Sequence, residues 1–332
     1  MAAPPAARFP RLRYAGRRVL KSVPILLAIA VCNFLLLKLA PGDAADVLAG
    51  EAGSATPEYI AALKSQFGLD QPDWMQLLNY VWRLLRLDLG WSFRNNESVL
   101  GLILSRMPAT LLLMVGALFL AFFAGAGLGV LASRRVNSWV DNLVSVVALL
   151  FYATPIFLIG LGLIIIFAVQ LGVLPTGGIT TVGAGFTGLR AAGDVAVHLL
   201  MPLLTLALFF LALYARLMRA SMLEVFNQDY VTTARAKGLP EGVITLKHVV
   251  RNAMLPMVTM LGLQVGTLLG GSVLVETVFS WPGVGRLAFE AVMSRDLNLL
   301  LGILLICSVI VIAANILVDL AYAWLDPRIE LA

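Results

Sequence analysis

The sequence predicts an all-α polytopic membrane protein with about six transmembrane helices and both termini cytoplasmic. Three observations predict it. Of 332 residues, 60% are hydrophobic and only 13% charged, with a mean hydropathy of +0.91, far from the soluble range. Apolar runs at 20–39, 108–131, 142–170, 197–218, 254–275 and 299–321 each reach about the ~20 residues that a bilayer crossing needs. If both termini are inside, the cytoplasmic pieces are 1–22, 132–141, 216–253 and the tail from 319. They hold 15 of the 24 Lys and Arg but 7 of the 19 acidic residues, a net of +8 against −3 elsewhere. That is the positive-inside pattern, with Arg17, Arg18, Arg134 and Arg135 decisive. The basic pI near 9.4 therefore reflects topology, with no nucleic-acid partner implied.

In chain order, residues 1–22 read as a basic cytoplasmic segment and 23–332 as the transmembrane domain. The first apolar run follows basic residues as a secretory signal would. It is long, however, and no small-x-small site follows it, so retention as a membrane helix is expected. A large external segment, 40–107, opens on the turn-forming Ala40, Pro41, Gly42 and Asp43, and Thr56, Pro57 and Glu58 suggest a helix start. From Pro72 to Leu87, apolar Trp74, Leu77, Leu78, Val81, Leu84 and Leu85 recur at helical spacing, as in an amphipathic helix lying on membrane or on neighbouring helices. The third run is long enough to tilt, and Pro155 is expected to be tolerated inside it. Residues 172–196 read as a flexible Gly-, Thr- and Ala-rich external loop. A third external stretch, 276–298, holds Glu276 through Gly285; its Pro282, Gly283 and Gly285 demand a sharp reversal, with Phe279 and Trp281 at the membrane interface.

Between the fourth and fifth runs lies a polar, basic loop at 220–253. Its centre is Thr232, Thr233, Ala234, Arg235, Ala236, Lys237, Gly238 and Leu239. Small residues followed by glycine predict a short helix that stops at a tight turn, a shape suited to docking in a partner's groove. In the fifth run Gly262, Gly266 and Gly270 fall on one helical face. They permit close backbone approach, either within this chain or along a central pathway against a second subunit.

Catalysis is not expected. The sequence has no G-x-x-x-x-G-K-[ST] phosphate loop, no H-E-x-x-H and no G-x-S-x-G, and its two histidines, His198 and His248, are too few for a multi-histidine metal site. Cys32 and Cys307 both fall in apolar runs and read as buried thiols. No clear mid-span charge is visible, which argues against an ion-coupled carrier with acidic relays and leaves energy input to other subunits. Asn315 and Gln264 read as inter-helix hydrogen-bonding groups ahead of the alternative, substrate ligands.

The loop at 220–253 resembles the cytoplasmic E-A-A-x-x-x-G loop of the membrane-spanning subunits of binding-protein-dependent ABC importers. Thr232 and Thr233 stand at the first two positions of the triplet, while Ala234 and Gly238 match; the usual ending is relaxed to His248, Val249, Val250 and Arg251, with Leu255 and Pro256 farther on. The chain looks most similar to the dipeptide, oligopeptide and nickel branch. Also similar are Ala40 to Asp43; Phe67 to Pro72; Asp88, Leu89, Gly90, Trp91 and Ser92; Arg106 to Thr110; Glu276 to Gly285; and Leu325 to Ile329. The resemblance implies a multi-pass subunit of the bacterial inner membrane that forms half of a translocation pathway for peptides or a related small solute. It implies a second homologous permease, two ATP-binding cassette ATPase subunits that dock on 232–239, and an extracytoplasmic solute-binding protein, with membrane lipid around them. ATP and Mg would be bound by the ATPases and no cofactor by this chain. The alternative is a secondary, ion-coupled carrier.

Overall fold

The computed structural model describes residues 10–39, 56, 65 and 70–325. The expected turn at 40–43, most of the helix start at 56–58, residues 67–69 and the terminal 326–329 lie outside these. Five described helices are long and apolar enough to cross a membrane, and a sharply bent pair makes a sixth candidate. The chain divides into two compact units, residues 1–105 with 288–312 and residues 106–287 with 313–332.

In the first unit, α1 (Pro10–Leu39) carries the first span. Helix α2 (Asp73–Leu85) starts after Pro72, whose fixed φ of −55° suits the position before a first turn. Its half-buried Leu77, Tyr80, Val81 and Leu84 form the inner stripe, with Tyr80 against Phe34 of α1 at 6.0 Å between ring centroids. Trp74, Leu78, Trp82 and Leu85 form an exposed stripe. Lys38 pairs with Asp73 across the same two helices. After α2, Arg83 Nε donates to Asp88 at 2.8 Å, and this bond holds the Asp88 carboxyl below its usual range. A minimal antiparallel pair, β1 (Trp91–Ser92) and β2 (Glu97–Ser98), breaks the all-helical expectation. It is fastened by the buried Ser92 hydroxyl, which donates to Asp296. Asp296 also accepts the Leu299 N–H at 3.1 Å, starting the last helix.

The second unit contains most of α3 (Val99–Arg134), then α4 (Trp139–Ala153) and α5 (Ile156–Leu163), which continues as a π-helical turn to Gln170. Helix α6 (Leu189–Phe226) is a span of 38 residues. The polar loop follows as α7 (Asp229–Ala236). A second helical run begins as α8 (Glu241–Val243), passes through a π turn at Ile244–Val250 and α9 (Arg251–Ala253), and becomes α10 (Leu255–Val278). Helices α11 (Val284–Ser294) and α12 (Leu297–Leu325) end the described chain.

Three expectations need correction. The third span is not a tilted helix: α4 and α5 meet at 105°. Proline has no N–H and disfavours helical backbone in the residue before it, and Thr154 accordingly sits at φ −83°, ψ 129°, ending α4 at Ala153. The loop at 172–188 is tied down, and 189–196 is already helix. Gly178 N–H donates to the Phe279 carbonyl at 2.8 Å, and Thr181 bonds Asp194 through both its N–H and its hydroxyl, each at 2.7 Å. Third, 276–298 contains helix α11, and its aromatics Phe279 and Trp281 are buried, with Trp281 Nε1 donating to the Ala109 carbonyl at 2.9 Å.

The core of this unit is set by glycine on α3 against α6. A Cβ on Gly129 would lie 2.7 Å from the Ala215 carbonyl and 3.0 Å from the Arg219 nitrogen, both backbone atoms that cannot swing away. Gly127, one helical face round, has open space. Gly129→Ala is therefore expected to cost about 1–3 kcal/mol, as overpacking does, and Gly127→Ala to be neutral or stabilising. Thermal unfolding of the two variants in detergent separates them.

Candidate functional site

Helix α7 is short, eight residues, and has almost no intrinsic stability at that length. Tertiary contacts hold it. Val231 and Ala234, three apart on its inner face, are buried and join Met218 and Met222 of α6 and Ile244, Val249 and Ala253 of the following run in one apolar cluster. Two polar braces fix its ends. Asn252 Nδ2 donates to the Tyr230 hydroxyl at 3.1 Å, and Arg235 Nε donates to Glu241 at 2.8 Å, with the Arg235 guanidinium 5.8 Å from the Phe226 ring centre. Arg235 is thus a brace within the chain.

The C-terminus of α7 is a Schellman cap. Gly238 takes φ +76°, its N–H donates to the Arg235 carbonyl at 2.9 Å, and the Leu239 N–H reaches the Ala234 carbonyl at 3.4 Å. The left-handed backbone at Gly238 explains why glycine ends the motif. Thr232, Thr233, Arg235, Ala236, Lys237 and Leu239 are exposed, and Tyr230, Thr233, Ala234, Lys237, Leu239 and His248 border a hollow of about 290 Å³. The expected short helix and turn are present; of 232–239 the structure buries Ala234 against α6 and leaves the others exposed.

The glycine row of α10 behaves unevenly. Gly262 is buried, with its missing Cβ 3.1 Å from Val318 and 3.5 Å from the Asn315 side chain. Gly266 and Gly270 are exposed and face nothing within 4 Å among the described residues. Among the described residues, only the first of the three packs against a neighbour.

Two buried polar centres were not anticipated; both lie at helix ends, Asp141 in the first turn of α4 and Glu276 in the last turn of α10, so neither is a mid-span charge. On α4, Asp141 is buried and accepts two bonds from Arg219 of α6, at 2.6 and 2.7 Å, plus the Asn137 N–H at 2.9 Å. The pair pins the turn after α3 to the helix that leads into α7. Near the end of α10, Glu276 is fully buried; it accepts from the Thr110 hydroxyl at 2.8 Å and from the Arg286 N–H at 2.9 Å. Thr110 in turn accepts the Val284 N–H at 2.7 Å, closing a knot around the reversal. The spacing of Glu276 to Gly283 and Gly285 was a usable signal: a Cβ on Gly283 would overlap the Glu276 carboxyl.

The comparisons with known proteins follow this geometry. Residues 125–331 match the family described as binding-protein-dependent transport system inner membrane component, and 11–114 match its N-terminal component. The chain is 43% identical over 320 residues to a putative peptide permease protein of Brucella suis, covering 96% of this chain and 99% of that protein. It is 38% identical to the dipeptide transport system permease protein DppB of Alkalihalophilus pseudofirmus, with the same coverages. It is also 38% identical to the oligopeptide transport system permease protein AppB of Bacillus subtilis, again over 96% and 99%. Among solved structures, a chain of the inward-facing MetNI methionine ABC transporter superposes with a TM-score of 0.54 at 18% identity, covering 68% of this chain and 96% of that one; at that identity the likeness concerns the fold alone. With the family matched over nearly its whole length, the chain belongs to the inner membrane components of binding-protein-dependent transport systems, as a multi-pass permease subunit of an importer in the bacterial cytoplasmic membrane.

Proposed function

We propose that this chain forms half of an ATP-driven import pathway for short peptides, with α7 as the segment on which a partner ATPase docks. The observation that carries the reading is the form of α7: a short helix packed on α6 and bonded to α8 and α9, which lead into α10, with Thr232, Thr233, Arg235, Ala236, Lys237 and Leu239 exposed beside a hollow. A segment that transmits force must be stiff and joined to the elements it moves, and α7 meets both needs. Both termini and α7 are then cytoplasmic, a placement that the charge distribution supports, with 40–107 outside. A second homologous permease lies against the open Gly266 and Gly270 face, two ATPases hold ATP and Mg, and an extracytoplasmic protein delivers the solute. Peptide cargo is supported by relatives whose names specify peptide, dipeptide and oligopeptide transport.

The test is purification of the tagged chain from its native membrane in gentle detergent, followed by reconstitution with its co-purifying subunits. ATP-dependent accumulation of a labelled di- or tripeptide is expected. A chain that purifies alone, with uptake that survives ATP depletion while a proton gradient is kept, would identify a secondary carrier instead.

A further inference from the structure

At the opposite end of α6 from α7 lies a cavity of about 410 Å³, bordered by Pro175, Thr181, Phe186, Arg190, Gly193, Asp194, Val197 and His198. It falls in the size range of small-molecule sites, roughly 300–1,000 Å³. Its polar groups are arranged unequally. Asp194 is occupied, since its carboxylate accepts the N–H and the hydroxyl of Thr181, and this tether closes the 172–188 loop over the helix. His198 is 6% exposed. Its Nδ1 lies 2.8 Å from the Asp194 carbonyl and 3.4 Å from the Asp194 carboxylate, atoms that can only accept, so Nδ1 carries a proton, and in the neutral ring Nε2 keeps a lone pair. That Nε2 has no partner among the described residues, and it is not sealed from the cavity. Arg190 stands exposed on the wall without a partner among the described residues, in the first turn of a helix whose N-terminus has no side-chain cap. Guanidinium and helix dipole together favour a negative group there.

We infer that this cavity is a recognition site for the carboxylate end of a short peptide. Arg190 takes the carboxylate, His198 Nε2 accepts a peptide N–H, and Pro175, Phe186 and Val197 hold the apolar side chain. Gly193 makes the room. A helical glycine costs about 1 kcal/mol relative to alanine, and a Cβ here would meet nothing within 4 Å, so packing does not demand glycine. The space it leaves belongs to the cavity. The inference rests on the importer reading above and adds where this chain would sense its cargo.

The test compares uptake of labelled trialanine and trialanine amide by the reconstituted importer, with the same solute-binding protein throughout. Assembly of each variant is checked by co-purification. Arg190→Gln is expected to raise KM for the free acid roughly tenfold or more, as loss of a charge-assisted bond does, and to bring the acid-to-amide ratio toward one. Gly193→Leu is expected to lower uptake of both. Wild-type behaviour in both variants would overturn the site while leaving the import function intact. Unchanged uptake in Arg190→Gln with loss of co-purifying phosphatidylglycerol would also overturn it, assigning the cavity to a lipid headgroup. No peptide uptake by the wild-type importer would overturn the function and the site together.

Discussion

Glu276→Ala is expected to destabilise the protein by about 3–5 kcal/mol, the cost of breaking a buried charged network. The carboxylate is fully buried, and its removal strands the Arg286 N–H and the Thr110 hydroxyl without their acceptor. Each buried unpaired group costs about 1–3 kcal/mol, and the emptied volume adds a packing loss. Glu276→Gln is expected to cost much less. Its amide keeps an acceptor for the Arg286 N–H and a group of the same shape beside Thr110, with the Thr110 bond reversed. Gly283→Ala is expected to be the harshest change of the set, because the new Cβ coincides with the Glu276 carboxyl, which is buried and held by Thr110 and Arg286. Thermal unfolding in detergent, followed by tryptophan fluorescence of the buried Trp281, orders the three variants. Equal stability of Glu276→Ala and wild type would mean that the knot does not hold the reversal.

Gly238→Pro is expected to abolish transport while leaving membrane insertion intact. Gly238 occupies φ +76°, and proline is fixed near −65°, so the cap cannot form. The substitution also deletes the N–H that closes on the Arg235 carbonyl. Helix α7 then loses its end, and Leu239 and Glu241 lose their register with Ala234 and Arg235. A bulky residue at Ala234, which is buried against the α6 end, is expected to act in the same way by lifting the helix off its support. Uptake assayed beside membrane content of the variant distinguishes uncoupling from failed insertion. Normal uptake would remove α7 from the transport mechanism.

Much of the fold was legible because lipid imposes simple rules. Length and apolarity located the spans to within a few residues at one end or the other, except the fourth, read as 197–218, whose helix runs from 189 to 226; small residues before Gly238 announced a capped helix. What escaped notice depended on partners distant in the chain. Glu276 looked like the start of an external stretch because its acceptors are satisfied by Thr110, 166 residues earlier. Asp141 and Arg219, separated by 78 residues, each looked like an ordinary charge near a helix end until their pairing was visible. Pro155 was read as tolerable since hydropathy does not sense direction, and a run of apolar residues can turn through 105° without losing any apolarity. The glycine row of α10 was legible as a face but not as a contact, since of the three Gly262 alone has a neighbour within 4 Å among the described residues.

Site-directed cross-linking in native membranes is the most direct measurement of whether α7 carries the ATPase. Cysteine would be introduced at Thr232 and Lys237, both exposed on the outward face, and at Val182 as a control, which is 99% exposed on the loop before α6. The native Cys32 and Cys307 are replaced by serine in each case. Cross-links from Thr232→Cys and Lys237→Cys to a nucleotide-binding subunit, with none from Val182→Cys, are the predicted result. ATPase cross-links from Val182→Cys with none from the α7 positions would place the docking surface at the other end of α6 and contradict it.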